Sequence, residues 1–266
     1  MTKRVISVFL CVLCVISSIS FIVSAKENKE YTSDNFLSVA DGIIAWKKAD
    51  NGSEPDGYLI NDKYLENAGT TPGDWYPIAL GRLGIQDNNE GYLAVIKDRV
   101  EERYRESGRL SAAKATEWHR IALAVLAMGG DPTNFGTDEN GAPINLIADG
   151  TYDRGKTTPL GRQGINGWIW GLITLDSMRY TVPDGAYNTR DDIIVEIISK
   201  QLSDGGFALS SDDADPDITA MAITALAPYY NSEKIYSYHR KALSADESKT
   251  VHEVVDEAVL CLSRLQ

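Results

Sequence analysis

Asp74-WYPIALGRL-Gly84, Glu117-WHRIALAVL-Ala127, Asn166-GWIWGLITL-Asp176 and Asp217-ITAMAITAL-Ala227 superimpose without gaps, at start-to-start spacings of 43, 49 and 51 residues. Each begins on a polar residue and carries a small one five positions on (Ala79, Ala122, Gly171, Ala222). An aliphatic residue follows (Leu80, Leu123, Leu172, Ile223), and Leu comes three further on (Leu83, Leu126, Leu175, Leu226). Self-similarity at such a period is the signature of a repeat architecture. The segments are apolar nearly all round, which is how a helix buried on every side reads. Their small residues predict close approach between neighbouring helices. Their polar starts predict Asp74 and Asp217 as first-turn caps.

Helices of a different pattern lie between them. Residues 92–105 put Leu93, Ile96, Val100 and Tyr104 on one face and charges on the rest. Residues 191–202 bury Ile193, Ile194, Ile197 and Ile198, while Asp192, Glu196 and Lys200 face out. Residues 251–265 carry Val251, Val254, Val255, Ala258, Leu262 and Leu265 at helical spacing, and an earlier helix covers about 36–48. Thr189 with Asp192, and Thr250 with Glu253, fit the capping-box pattern. Only the stretch around Ile144 to Ala148 is too short for its amphipathic helix.

The alternation of amphipathic and apolar helices predicts an all-α fold. Helices joined by short loops pack antiparallel, and apolar members inside amphipathic ones make a double ring, the α/α toroid. An open solenoid of stacked pairs is the alternative; it leaves one face of each helix near solvent, so the all-round apolar segments favour the ring. β-structure is expected only as short turns around the Gly-rich loops.

Composition narrows the partners. Of 266 residues, 43% are hydrophobic and 24% charged, which excludes global disorder. Lys and Arg number 26 against 38 Asp and Glu, a net charge of −12 without a basic block. That removes the electrostatic drive for nucleic acid and for anionic lipid. Lys3 and Arg4, the apolar run Val5 to Val23 and small residues before Lys26 read as a secretory signal peptide over 1–25, leaving one domain over 26–266. A retained anchor is the alternative, and the one route to a membrane. The expected location is secreted or at the cell surface. Cys11 and Cys14 leave with the signal, so Cys261 stands alone, with no intramolecular disulfide and no thiolate metal cluster.

Gln201-Leu-Ser-Asp204-Gly205-Gly206-Phe207, then Asp215-Pro-Asp217-Ile-Thr219-Ala-Met-Ala and Ala227-Pro-Tyr-Tyr230, resembles the prenyltransferase/squalene-oxidase repeat. That repeat belongs to the superfamily of terpenoid cyclases and protein prenyltransferases, which also holds cobalamin-carrier proteins. Asp131-Pro-Thr-Asn134 and Gln163-Gly164-Ile165-Asn166-Gly167 resemble the version in secreted proteins of Gram-positive bacteria. The resemblance covers most of 35–266, is specific over 201–230, and implies an α/α toroid without implying an activity. A six-fold toroid like that of the superfamily needs more helices than this chain supplies. The ring is therefore expected to be incomplete at its C-terminal end, with apolar surface around Val254, Val255, Ala258 and Leu262 short of cover. Such a patch predicts self-association or further repeats in a longer chain.

The superfamily's chemical motifs are mostly absent. The nearest stretch to a DxDD acid, Asp212-Asp213-Ala214-Asp215-Pro216-Asp217, has the wrong order and opens a helix. There is no DDxxD and no Gly-rich phosphate loop. His119, His239, His252 and Cys261 lack zinc-ligand spacing, and no metal or cofactor is expected.

One constellation remains. Apolar helices running parallel in an inner ring bring their N-termini to one mouth, where Asp74, Glu117, Asn166 and Asp217 would stand among Trp75, Tyr76, Trp118, His119, Trp168 and Trp170. Asp74, Glu117 and Asp217 are the candidate catalytic carboxylates; the aromatics and His119 are the candidate ligand-binding residues. Facing carboxylates between aromatic walls suit acid–base chemistry on sugars, and the aromatics alone suit a small-molecule or glycan ligand. Caps and core filling are the structural alternative. Three classes stay open: an exported binding or surface-interaction module, a terpenoid-processing enzyme, and a glycan-cleaving enzyme. The missing motifs weigh against the second, and the balance leans away from catalysis.

Overall fold

The computed structural model describes residues 33–153, 157 and 159–265, so the proposed signal peptide lies outside the described residues. The chain is mostly helical. In order come α1 (Ser33–Asn51), α2 (Asp62–Leu65), α3 (Thr71–Leu83), α4 (Asn89–Ser107), α5 (Thr116–Ala127) and α6 (Leu146–Gly150). They are followed by α7 (Ile165–Asp176), α8 (Arg190–Ile198), α9 (Pro216–Leu226), the strands β1 (Ile235–Arg240) and β2 (Ala245–Thr250), and α10 (Val251–Leu265). The chain divides into two compact units. One runs up to Val100 and takes in Ala124–Gly130; the other holds Glu101–Leu123 and the residues from Asp131 on. Among the described residues no helix is long and apolar enough to cross a membrane.

In the first unit, loop carbonyls and amides are served by side chains. The Asp87 carboxylate accepts from the Leu59 and Ile60 N–H groups at 2.9 and 2.8 Å, and both residues are fully buried. Pro77 sits inside α3. A proline has no N–H for the carbonyl four residues back, and the buried Tyr64 hydroxyl donates to that Gly73 oxygen at 3.0 Å instead. Gly81 admits the end of α5 by lacking a side chain. A Cβ there would lie 2.0 Å from the Ala127 carbonyl oxygen. The N-cap of α3 is Thr70, not Asp74 as its position suggested. Asp74 lies within the first turn, where its carboxylate turns inward.

In the second unit α7 packs against α6, α8 and α9, and α9 packs against α10. No residue of α7 is exposed, in keeping with its all-round apolar sequence. The capping boxes at the starts of α8 and α10 form as expected: Thr189 with Asp192, and Thr250 with Glu253. Asp217 does not cap α9; Asp215 does, accepting from the Ile218 N–H at 2.9 Å.

The all-α expectation needs correction at residues 235–250. There β1 and β2 form an antiparallel hairpin, registered from Ile235 opposite Thr250 to Arg240 opposite Ala245. Burial alternates along β1, with Tyr236, Tyr238 and Arg240 inward, because the strand packs its alternate side chains on α8. Arg240 is 3% exposed and donates to the Gln201 carbonyl at 3.0 Å and to the Leu202 carbonyl. Its guanidinium also faces Glu247 at 3.3 Å and Glu257 at 3.5 Å.

The 201–230 segment that carries the resemblance acts as a structural junction. Gln201 Nε2 donates to the carbonyls of Gly205 and Val254 at 2.8 and 2.9 Å. Thr219 Oγ1 accepts from the Phe207 N–H at 2.9 Å. Gly205 takes φ +91, and a Cβ on Gly206 would stand 2.8 Å from Cys261 Sγ. These residue types are needed to seat α9 and α10 on the loop that follows α8. A second correction concerns α10. Val254, Val255 and Ala258 are buried rather than short of cover, Leu262 is half-buried, and the exposed apolar side chains are Val259, Leu260 and Leu265.

Candidate functional site

The carboxylates of the expected mouth are mostly engaged. Asp74 is fully buried and accepts from the Gly69 N–H and the Tyr92 hydroxyl, each at 2.7 Å. Glu117 takes both guanidinium nitrogens of Arg120, at 2.7 and 3.0 Å, with Arg103 at 3.4 Å. Burial alone would raise the Glu117 carboxyl, but the Arg120 hydrogen bond and charge, aided by Arg103, hold it below its ordinary value. The oxygens of Glu117 thus go to arginines rather than to a second carboxylate. Asp217 is exposed at the first turn of α9.

Trp118 is a core residue. Its Nε1 donates at 2.7 Å to the Tyr104 hydroxyl, which in turn donates at 2.6 Å to Asp149. All three are buried, and burial together with the Asp149 charge drives the Tyr104 phenol well above its ordinary value. A hydroxyl held that way stays protonated and serves as a donor.

His119 is fully buried, and Nε2 lies 2.6 Å from the Gly150 carbonyl oxygen. A carbonyl only accepts, so the proton is assigned to Nε2 and Nδ1 is left as an acceptor without a partner. Burial lowers the ring to about 4, against a smaller opposing effect of the Gly150 bond. A base neutral from about pH 4 upward could accept a proton, yet the ring lies inside the helix packing.

The remaining candidate aromatics are half-buried. Tyr76 is half-buried, with its ring edge-on to Tyr64 at 6.3 Å and Lys47 Nζ 5.8 Å from its centroid. Trp75, Trp168 and Trp170 are half-buried as well. Trp168 lies on the 160–163 turn so closely that a Cβ at Gly161 would meet its Nε1 at 2.6 Å. Asn166 is half-buried, and its Oδ1 has no hydrogen bond. Among the described residues no group of three or more His, Cys, Asp or Glu side chains could hold a metal ion.

A groove the repeats did not announce lies in the second unit, between the end of α6 and the approach to α8. The Tyr187 N–H donates to the Tyr152 carbonyl at 3.0 Å, and Asn188 Nδ2 donates to the Thr151 carbonyl at 3.0 Å. The Pro183–Ala186 turn closes with an N–H to carbonyl bond of 3.2 Å, and Gly185 supplies the φ of +74 that the turn requires. These two loops bound an open groove of about 490 Å³, lined by Tyr152, Asp153, Pro183, Asp184 and Tyr187 together with the Gly185–Ala186 edge. Tyr187 is 59% exposed, while Tyr152 is half-buried, its phenol raised first by burial and then by Asp153 and Asp149. Sequence periodicity could not find the groove, because both tyrosines sit in loops 35 positions apart. No protein-family profile, curated protein or solved structure matches this chain.

Proposed function

We propose that this chain is an exported module that binds a ligand and performs no catalysis, built on an α/α toroid of the prenyltransferase/squalene-oxidase repeat type. The observation that carries the reading is the engagement of the candidate acid–base groups. Asp74 accepts from Gly69 and Tyr92, Glu117 is held by two arginines, and His119 is fully buried with its Nε2 on the Gly150 carbonyl. A glycan-cleaving enzyme of the usual kind needs two carboxyl groups facing one bond, and Asp217 alone does not supply them. The repeat resemblance and the packing of α7 on α8 and α9 support the toroid. The signal-like N-terminus supports export.

Thermal-shift measurements on the mature chain against neutral glycans, corrinoids and isoprenoids test the proposal. A native-state ligand raises the melting temperature by mass action. Binding should be saturable, and mass spectrometry should recover the ligand unchanged. Turnover of any of these compounds would overturn the proposal.

A further inference from the structure

We propose that Tyr230, His252 and Asp256 form a binding site for a divalent copper ion in the second unit, where the 227–229 turn meets the start of α10. Three donor groups converge there. The Tyr230 hydroxyl donates to Asp256 Oδ1 at 2.8 Å, His252 Nε2 lies 3.2 Å from Asp256 Oδ2, and the phenol oxygen stands 3.5 Å from Nε2. Nitrogen and oxygen ligands bound at about 2.0–2.2 Å to one metal ion are themselves about 3–3.5 Å apart. The triangle has the size of one face of a coordination sphere.

Two local features hold it together. His252 and Asp256 stand one helical turn apart, the relation that brings two side chains to the same face of a helix. The Tyr230 ring stacks on the imidazole, with centroids 4.3 Å apart and planes at 25°, and so fastens the phenol to α10. The His252 and Asp256 side chains are 50% and 56% exposed, which gives an ion access from solvent and leaves its other positions to water. Spacing along the chain does not announce the set, because Tyr230 comes 22 positions before His252.

The donors select the ion. Ca²⁺ and Mg²⁺ take oxygen ligands, and an imidazole suits neither. Among divalent first-row ions Cu²⁺ binds a given site most tightly, and mixed nitrogen and oxygen donors suit its tetragonal geometry. A tyrosine coordinates as phenolate, so its O–H bond breaks, the proton passes to solvent and an oxygen–copper bond forms. The hydrogen bond to Asp256 keeps the phenol above its ordinary value, and the charge of a bound cation reverses that preference. The net charge of −12 favours the approach of any cation.

Isothermal titration calorimetry and visible spectroscopy on the mature chain test the site, with copper(II) chloride as the probe and glycine as competing chelator. Copper should bind saturably and bring up a phenolate-to-copper charge-transfer band. His252→Gln and Asp256→Asn should each weaken binding about tenfold or more, at least the cost of disturbing the partners of a metal ligand. Tyr230→Phe keeps the stacked ring, yet should abolish the band and weaken binding several-fold. His239→Gln removes an exposed imidazole elsewhere, on β1, and should change neither reading. The substituted side chains are exposed or half-buried, so the melting temperature should hold in every variant. The proposal is overturned by failure of copper to bind, or by binding that survives both His252→Gln and Asp256→Asn. It is equally overturned by binding without a Tyr230-dependent band, or by tighter binding of Zn²⁺ than of Cu²⁺.

Discussion

The Tyr64 hydroxyl donates at 3.0 Å to the Gly73 carbonyl, the acceptor that Pro77 cannot serve. A residue outside α3 thereby supplies the hydrogen bond that the helix's own proline withholds. A buried acceptor left without a donor costs about 1–3 kcal/mol.

Tyr64→Phe should therefore lower stability by about 1–3 kcal/mol, read from the urea midpoint at constant slope. Pro77→Ala restores an N–H to the Gly73 carbonyl, so the same substitution should cost less in that background. A double-mutant cycle isolates the coupling. Equal losses in both backgrounds would show that the phenol acts by packing alone.

The buried His119 makes stability depend on pH in a window of its own. Unfolded, it takes a proton near its ordinary 6.5; folded, only at about 4. Below 6.5 the unfolded chain binds more protons than the native one, so stability is full above that point and falls as the pH drops toward 4. The loss is about 3 kcal/mol. His119→Gln keeps a donor for Gly150 without the titration, and should flatten this part of the urea-stability profile. Glu117, held low by its arginines, loses its contribution only as the pH falls through the carboxylate range, so the two effects separate.

Ala222 is fully buried at the small position of α9. Ala222→Leu should overpack the helix and cost about 1–3 kcal/mol, measured as a lowered urea midpoint. Full tolerance would mean that α9 has room on its apolar side.

The mature protein should begin near Lys26. Intact-mass measurement on secreted material checks it, and a secreted species that retains Met1 to Ala25 would contradict the signal-peptide reading.

Much of the helical layout was legible because packing wrote it into periodicity. The 251–265 helix was read with the bounds it has, and the four apolar segments fall on α3, α5, α7 and α9. The hairpin was missed although Ile235-Tyr-Ser-Tyr-His-Arg240 alternates with the strand period, since its partner Ala245-Asp-Glu-Ser-Lys-Thr250 is polar on both faces. Asp74 reads as a cap in the sequence because a polar residue at a helix start usually is one. Its actual donors, Gly69 and Tyr92, are set by the tertiary fold, which the pattern of one helix does not encode. The groove is a product of backbone pairing between loops, where no periodicity operates.

Arg240 joins β1 to the carbonyls of Gln201 and Leu202 and to Glu257 on α10. Peeling the hairpin away would strip the Arg240 donors from the Gln201 and Leu202 carbonyls and from the Glu257 carboxylate. These pieces therefore share a fate. In amide hydrogen exchange the hairpin, the 201–206 loop and the start of α10 should open as a single cooperative unit. A protease offered the exposed 241–244 bend would find a fastened clasp rather than a loose flap.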